Sequence, residues 1–422
     1  MNRREWLSAM ACGSLLLPVS LNSWAVRGTQ PSAHRLVVLL LRGAVDGLSV
    51  VTPYTESAYH QLRGSIALAE PRKKNGVLAL DQQFGLHPAL SMLMPYWQNN
   101  SMAFVHATGS PDPTRSHFDA QTFMETAKGG RQKSSDGWMN RLLAELINQH
   151  PDQTALSAGN TIPKIMQGVA PVTPFDFGKG AQRKTALDHR KTVKWFDQLY
   201  GDNGDIANAY QASVERRRQI LADLSQQSEG QLPNMKAEQM VANQGAPTPV
   251  GFALEAQQIA TILKQDVNIP LVFADLGDWD THVNQGGATS GRLSKNLKSL
   301  GLGLNILIQS LGDLYADTTI VVMSEFGRTV AQNGTGGTDH GHGNVMWLFG
   351  GGVNGGKVHT DWPTLDRKGL YEARDLAVTT DYRAVLQQIL AQRYGLSDAA
   401  LQRVFPQSFA TNRVAKSVLK PS

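Results

Sequence analysis

The sequence predicts an α/β protein built on a doubly wound, mostly parallel sheet that is flanked by helices. Four short apolar runs have the length of strands, and some are almost uninterrupted, as expected for strands covered on both faces. Segments with helical periodicity separate them, and this alternation is typical of parallel sheets. The runs are HRLVVLLLR (34–42), SMAFVHA (101–107), IPLVFAD (269–275) and IVVMSEF (320–326).

A leucine-rich helix is predicted between the third and fourth runs. Its leucines recur every three or four residues, so that they form one apolar stripe that packs against a core. The stripe consists of Leu293, Leu297, Leu300, Leu304, Leu307, Leu311 and Leu314.

The N-terminus has the features of an export signal. Arg3 and Arg4 are the paired arginines of a twin-arginine signal, an apolar stretch (Met10–Leu21) follows, and Ala25 ends a cleavage site with small residues. The apolar stretch is shorter than the roughly 20 residues that span a bilayer. We therefore expect a periplasmic or secreted protein that is exported by the twin-arginine route and has no stable membrane anchor.

The mature chain is predicted to form a single domain over residues 26–412, after a signal peptide at 1–25. Residues 184–265 are polar and helical in character, and we interpret them as a helical insertion that covers the domain. Residues 413–422 are expected to form a loose tail.

Composition excludes several classes of protein. The 422 residues are 41% hydrophobic and carry a formal net charge of +5, which allows a large core. Basic residues form no long run, and Arg216–Arg218 lies in a polar helical pattern, so a nucleic-acid partner is not expected. The single cysteine, Cys12, lies in the signal peptide, which excludes disulfides and thiolate zinc sites from the mature protein.

Carboxylates and histidines cluster after the fourth run. Glu325 lies at its end, and a glycine-rich loop then places Asp339, His340 and His342 within four positions. Open α/β sheets bind ligands at the carboxyl ends of their strands, and these groups are metal ligands. The alternatives are an ion pair between Glu325 and Arg328 and a hydrogen-bonded loop without a metal.

Two more candidate ligands, Asp280 and His282, follow the third run. Alternate residues of an extended segment point the same way, so both could reach one metal ion. The alternative is an ordinary surface turn.

Seven motifs occur in an order that is typical of one bacterial family. On these motifs the chain resembles domain-of-unknown-function family 1501, whose members are commonly exported by the twin-arginine route and are grouped by fold with the alkaline phosphatase and sulfatase superfamily. The resemblance implies an alkaline phosphatase-like fold. The motifs are RGAVDGL, FGLHPAL, RSHFDAQ, DGWMNR, DWDTHVNQ, SEFGRT and GTDHGHGN.

The resemblance also implies roles for individual residues. Asp46 occupies the place of the superfamily's metal-binding Asp after the first strand, although an Asp-Gly turn suits it equally. Ser116 fits the nucleophile at a helix N-terminus, with Thr114 as second choice, although Ser116 is also a good N-cap. Glu325 stands where many members have the Asp of an Asp-His-Gly motif, and Phe326 replaces the His.

Other positions bear on substrate and on mechanism. Arg115, Arg328 or Lys164 could bind anionic oxygens of a substrate. His117, like His87, is interpreted as a packing or helix-start histidine. Pro111 stands where a formylglycine sulfatase needs its nucleophile, which excludes that class.

Together these features suggest an exported, metal-dependent hydrolase or transferase of the alkaline phosphatase/sulfatase type that acts on small anionic phosphate or sulfate esters. One or two divalent ions (Zn, Ca, Mg or Mn) are expected. The alternative is a protein of the same fold that has lost catalysis and serves binding or envelope assembly, together with a partner from another family of unknown function.

Overall fold

Strands and helices alternate along the part of the chain that the computed structural model describes, which comprises residues 34–128, 134–159, 161–176, 242–406 and 417–421. The strands are β1 (Arg35–Leu41), β2 (Val51–Thr52), β3 (Leu78–Ala79), β4 (Gly85–Leu86), β5 (Met102–Gly109), β6 (Ala155–Ala158), β7 (Val172–Phe175), β8 (Leu271–Leu276), β9 (Thr318–Ser324), β10 (Asn344–Phe349), β11 (Lys357–His359), β12 (Leu370–Tyr371), β13 (Asp375–Leu376) and β14 (Thr380–Asp381). The α-helices are α1 (Gly47–Val50), α2 (Ser57–Arg63), α3 (Met94–Gln98), α4 (His117–Thr126), α5 (Trp138–Ile147), α6 (Phe252–Gln265), α7 (Arg292–Leu311), α8 (Tyr382–Tyr394) and α9 (Asp398–Val404).

One large sheet organises these elements. Its strands follow the order β11-β5-β10-β9-β1-β8-β6-β7, and β14 also pairs with β5. Strand β1 is parallel to both of its neighbours, β8 and β9, whereas β10 is antiparallel to β9 and β5. The remaining pairs of this sheet are parallel. The predicted fold class, a mostly parallel α/β sheet flanked by helices, is confirmed.

Successive residues of β1 belong to different halves of the core. Val37, Leu39 and Leu41 pack on the face that α6 and α7 cover. Leu36, Val38 and Leu40 pack on the opposite face, beneath α4, α5, α8 and α9. Because neighbouring side chains of a strand point to opposite faces, a strand that is buried on both must be apolar throughout. This explains the continuous apolar run of β1.

Helix α7 confirms the leucine stripe. Six of its seven predicted leucines, from Leu293 to Leu311, are at most 1% exposed, whereas Leu314 lies beyond the helix in a 3₁₀ turn (Gly312–Asp317). Helix α6 packs beside α7 and places Phe252 and Ile259 in the same core. Residues 252–265 are therefore part of the main helical layer rather than of a covering insertion. Residues 184–241 of that predicted insertion lie outside the described residues.

The structure describes the C-terminal segment (417–421) but not residues 1–33 at the N-terminus. The predicted signal peptide, with Arg3, Arg4 and Ala25, lies outside the described residues. In the predicted loose tail, however, Val418 and Leu419 are fully buried, and Leu419 forms a β-bridge with Val353. Apolar burial therefore attaches residues 417–421 to the domain. Among the described helices, none combines the length and the hydropathy needed to cross a bilayer.

A close approach of α6 to α7 depends on a glycine. A Cβ atom at Gly303 would overlap the ring of Phe252, which belongs to the buried core. Two residues earlier in the same helix, a Cβ atom at Gly301 would meet the Met92 sulfur at 2.8 Å and a methyl carbon of Leu90 at 3.0 Å. The Met92 side chain is flexible and can move aside, whereas the aromatic ring cannot.

We expect Gly303→Ala to lower the free energy of unfolding by about 1–3 kcal/mol through overpacking, which outweighs the gain of up to about 1 kcal/mol in helix propensity. Gly301→Ala is the matched control and should cost less. Urea unfolding of both variants measures this difference. A Gly303→Ala protein at least as stable as Gly301→Ala would contradict the packing described here.

Candidate metal centre

The candidate site lies at the carboxyl ends of the parallel strands. Asp280 and His282 follow β8, Glu325 follows β9, and His340 belongs to the loop between β9 and β10. His117 is the first residue of α4, which comes after β5. Because β5, β8 and β9 run in the same direction, their following loops meet at one edge of the sheet, as ligand-binding loops of α/β proteins do.

Three imidazoles converge on one carboxylate oxygen. Asp280 Oδ1 lies 3.1 Å from His282 Nε2, 3.4 Å from His340 Nε2 and 3.7 Å from His117 Nε2. The Nε2 atoms of His282 and His340 are themselves 2.9 Å apart. Ligand atoms of His117, Asp280 and His340 all lie within 4.8 Å of one another. A tetrahedral ion with bonds of about 2.0–2.2 Å separates its ligand atoms by roughly 3.3–3.6 Å, which is close to these distances.

The opposite nitrogen of each imidazole contacts an acceptor. Nδ1 of His117 lies 2.8 Å from Glu325 Oε1, and Nδ1 of His282 lies 3.0 Å from Asp339 Oδ1. Nδ1 of His340 lies 2.9 Å from the backbone oxygen of Arg115. When a neutral ring donates its proton from Nδ1 to this acceptor, the lone pair of that ring lies on Nε2. Histidines that bind metals are oriented by the same contact at their outer nitrogen.

The result is a cluster of acceptor atoms that needs a cation. His117 Nε2 is buried, and it has no hydrogen-bond partner among the described residues. The Nε2 atoms of His282 and His340 face one another at 2.9 Å, so either a proton on one of them or a metal ion must separate the two lone pairs. A buried polar atom without a partner is costly, and a bound divalent ion would satisfy all four atoms at once. The donor set therefore fits a metal ion.

Glu325 is held firmly in its position behind His117. Its Oε1 atom accepts hydrogen bonds from Gly43 N and from Gln121 Nε2, both at 2.8 Å, and its Oε2 atom accepts one from Ser324 Oγ at 3.0 Å. Gln121 in turn accepts a hydrogen bond of 2.8 Å from Arg42 Nη1. The fully buried Glu325 thus orients His117, rather than pairing with Arg328 as one prediction allowed.

Arg328 holds the carboxylate of Asp280. Its Nη1 atom donates to Asp280 Oδ1 at 2.7 Å, while Nε and Nη2 donate to the hydroxyl and the backbone oxygen of Thr338. The side chain is buried and all three nitrogens are bonded to protein atoms. Arg328 was predicted to bind substrate, but in this arrangement it is a structural partner of Asp280.

Burial and charge shift the pKa values of the site residues. Burial alone would raise the pKa of Asp280, but the surrounding histidines and Arg328 hold it well below its usual range. Burial would lower the pKa of His117, but Asp280 and Glu325 outweigh this effect and raise it to about 9. Burial lowers the pKa of His340. The hydrogen bond with Asp280 raises the pKa of His282. In the absence of a metal ion, protonation is therefore favoured at His117 and His282 and disfavoured at His340.

Phe326 forms a wall of the site. Its ring stacks on His117 with a centroid distance of 4.9 Å and lies 5.1 Å from the ring of His340. Phe326 therefore packs against two of the imidazoles of the candidate site.

The comparison with known proteins identifies the family. The sequence matches the family described as Protein of unknown function (DUF1501) over residues 33–405. The chain belongs to this family. The resemblance inferred from the seven motifs is thereby confirmed. No curated protein matches the chain.

Several solved structures resemble this DUF1501 chain at low sequence identity. The C-terminal periplasmic domain of EcEptC from Escherichia coli is 11% identical, with 92% of each chain covered and a TM-score of 0.36. A protein in the alkaline phosphatase superfamily from Vibrio parahaemolyticus is 10% identical, with 86% of this chain and 68% of that chain covered and a TM-score of 0.35. BT1596, a 2-O GAG sulfatase, is 9% identical, with 91% and 74% covered and a TM-score of 0.38. The function proposed below rests on this chain's own side chains.

Asp46, a predicted metal ligand, pairs with a buried arginine instead of facing the histidines. It is fully buried, and both of its oxygens accept hydrogen bonds from Arg63. Ser49 Oγ and Gln285 Nε2 also donate to it, each at 2.6 Å. Burial raises the pKa of Asp46, but Arg63 outweighs this effect and keeps the pKa low. Asp46 therefore neutralises a buried arginine instead of contributing to the histidine cluster.

The side chains of His342 and Asp339 point away from the centre that His340 faces, although all three residues lie close together in the sequence. The ring of His342 packs on Tyr371 with a centroid distance of 4.6 Å and does not face Asp280. Asp339 reaches only the outer nitrogen of His282. Of the three predicted ligands in this loop, only His340 points its Nε2 atom at the centre.

Ser116 and Arg115 lie next to His117. Ser116 is the N-cap of α4, and its Oγ atom accepts a hydrogen bond of 3.4 Å from Asp119 N, as the capping alternative predicted. Arg115 forms ion pairs with Glu372 at 2.6 Å and with Asp375 at 2.7 Å. The structure thus places Ser116 at a helix N-terminus, where both a cap and a nucleophile are expected.

His117 is the ligand that sequence interpretation missed. Its signal was present, because it belongs to the RSHFDAQ motif and follows a strand at the same sheet edge as the other ligands. A lone histidine at a helix start is usually a packing residue, however, and only the convergence with Asp280 and His340 distinguishes it.

We expect the mature protein, purified without chelator, to contain about one equivalent of a divalent transition metal per chain. His117→Ala and His340→Ala should each lose the metal, because each removes a ligand. His342→Ala should retain it, because that ring faces Tyr371. Elemental analysis and circular dichroism of the three variants measure metal content and folding. Full metal content in a folded His117→Ala protein would contradict this ligand set.

Proposed function

We propose that this protein is an exported, metal-dependent hydrolase or transferase of the alkaline phosphatase/sulfatase type that acts on phosphate or sulfate esters. The observation that supports this proposal is the acceptor cluster, in which three Nε2 atoms surround one oxygen of Asp280. His117, His282, His340 and Asp280 would hold one divalent ion. When bound, the ion would supply a Lewis acid for a phosphoryl or sulfuryl oxygen.

The donor set narrows the choice of metal. Three imidazoles and one carboxylate suit zinc better than calcium, magnesium or manganese, which prefer oxygen ligands. Among the described residues, a single group of side chains meets the spacing for a metal ion. Of the one or two ions expected from the sequence, we propose a single ion, because Asp46 is paired with Arg63.

The chain's own residues prepare the site for an ester. Arg328 restrains the Asp280 carboxylate, and Glu325 keeps the proton of His117 at Nδ1. The side chains of His282 and Asp339 are 38% and 55% exposed, whereas that of His117 is 9% exposed. A substrate would therefore approach from the side of His282 and Asp339, while the side of His117 excludes water.

Ser116 is proposed as the nucleophile of this reaction. It precedes the ligand His117 directly, it is exposed, and it begins α4. The partial positive charge at a helix N-terminus stabilises an alkoxide and the anionic oxygens of an ester. A second candidate function, binding without catalysis, is favoured by the N-cap hydrogen bond of Ser116 Oγ and by the ion pair of Asp46.

The ester-hydrolase proposal is tested with a panel of phosphate and sulfate esters. We expect turnover by the metal-loaded mature protein, loss of turnover after chelation, and recovery when zinc is restored. Asp280→Asn should lose turnover together with the metal. A protein that binds metal stoichiometrically but hydrolyses no ester in the panel would contradict catalysis and favour the binding protein.

The role of Ser116 can be separated from its capping role, because Ser397 is a matched control. Ser397 caps α9 with a hydrogen bond of 3.4 Å to Ala400 N, the same length as that of Ser116 to Asp119 N. Each Ser→Ala change should cost about 1 kcal/mol of stability through the lost cap. Only Ser116→Ala should also lower kcat, by about a thousandfold or more.

Equal activity of the Ser116→Ala and Ser397→Ala variants would show that Ser116 is a cap only. Water would then attack the ester directly in a metal-dependent reaction. Urea unfolding measures the stability of the two variants, and steady-state kinetics measures their kcat. The comparison requires that both variants contain the same amount of metal.

A further inference from the structure

A pair of arginines lies next to the proposed metal centre, beyond His340. Arg115 contributes its backbone oxygen to His340 Nδ1, and Arg374 Nη2 donates to the backbone oxygen of His340. Both guanidinium groups bind the same carboxylate, since Asp375 accepts from Arg115 at 2.7 Å and 3.1 Å and from Arg374 Nε at 3.0 Å. Asp375 is fully buried. It therefore fixes the positions of two cations at one edge of the site.

Both arginines retain hydrogen-bond donors. A guanidinium has five N–H groups. In Arg115, Nε and Nη2 donate to the carboxylates of Asp375 and Glu372. In Arg374, Nε donates to Asp375 and Nη2 donates to the backbone oxygen of His340. Among the described residues, neither Nη1 atom has a hydrogen-bond partner. The side chains are 29% and 43% exposed, so these donors are open to a ligand.

Glu372 completes the charge balance of this cluster. Its carboxylate lies 2.6 Å from Arg115 Nη2, and its side chain is 54% exposed. Asp375 balances one of the two guanidinium charges, and Glu372 balances the other. An exposed ion pair of this kind contributes only about 0–1 kcal/mol, so that a competing anion can displace it.

The backbone that carries Glu372 adopts an unfavourable conformation. Glu372 and Ala373 form the tip of the β12–β13 hairpin, with φ values of +51° and +54° and a hydrogen bond of 3.1 Å from Arg374 N to Tyr371 O. This left-handed geometry favours glycine or asparagine. Glu and Ala occupy it here instead, which indicates that this turn is selected for more than its backbone conformation. His342 packs on Tyr371 and supports the hairpin.

We propose that Arg115 and Arg374 form an anion subsite of the ester-processing site, and that Glu372 occupies it until an oxyanion group of the substrate displaces it. Arg374 contacts the backbone of His340, whereas the ion would contact the far end of its imidazole. The length of the His340 side chain therefore separates the anion subsite from the reacting group at the metal centre. It fits esters that carry a second anionic group, such as a further sulfate, phosphate or carboxylate. This inference rests on the proposed function of the neighbouring centre.

The test is calorimetric titration of sulfate and of inorganic phosphate into the full mature protein, both metal-loaded and chelated. Glu372→Gln should tighten binding about threefold, because it removes the competing carboxylate. Arg374→Gln should weaken binding about tenfold, because it removes a charged donor. Glu145→Gln and Arg403→Gln are matched controls, since these residues form an ion pair of 2.6 Å between α5 and α9.

The outcomes separate this inference from the metal proposal. If sulfate binding responds to Glu372 and Arg374 but not to the control pair, in chelated as in metal-loaded protein, the subsite is established independently of the metal. If Glu372→Gln and Arg374→Gln match their controls, the inference is overturned, even where metal binding and turnover are intact. Metal content, measured for every variant, shows whether the neighbouring centre is preserved.

Discussion

Four acceptor atoms packed together must share a positive charge, and this constraint governs the centre of the protein. The Nε2 atoms of three histidines lie within 3.7 Å of Asp280 Oδ1, and the outer nitrogen of each ring is already bonded to an acceptor. Such a group of lone pairs repels itself unless a proton or a metal ion lies among them. Arg328 supplies part of this charge to Asp280 Oδ1, and the remaining acceptor atoms fit the proposed metal ion.

Buried hydrogen bonds on both sides maintain this arrangement. On one side, Glu325 is connected through Gln121 to Arg42, which pairs with Glu125 at 3.0 Å. On the other side, Arg328 is connected through Thr338 to Gln285, which donates to the Asp46–Arg63 pair. Removing one partner from such a network leaves a buried charge uncompensated, which costs several kcal/mol. The folded core therefore fixes the orientation of the ligands before any ion binds.

The expectations taken from the alkaline phosphatase resemblance needed revision at specific residues. Asp46 stands at the expected place after β1, but Arg63 neutralises it inside the core. Glu325 and Asp339 contact histidines rather than facing the centre. Within the described residues, His117, Asp280 and His340 form the group whose spacing fits a metal ion.

The sequence by itself determined the fold class and the sheet edge at which the candidate site lies. Continuous apolar strands, the leucine stripe of α7 and polar residues at strand ends are local patterns, and they predicted the sheet, the helices and the edge at which Asp280, His282 and His340 meet. Only the tertiary structure decided which side chains face inward. Ligand geometry depends on contacts between segments far apart in the chain, such as that of His117 with Glu325, and no local periodicity encodes them. For the same reason the buried Arg63 beside Asp46, and the Tyr371 ring beside His342, could not be predicted from their neighbours in sequence.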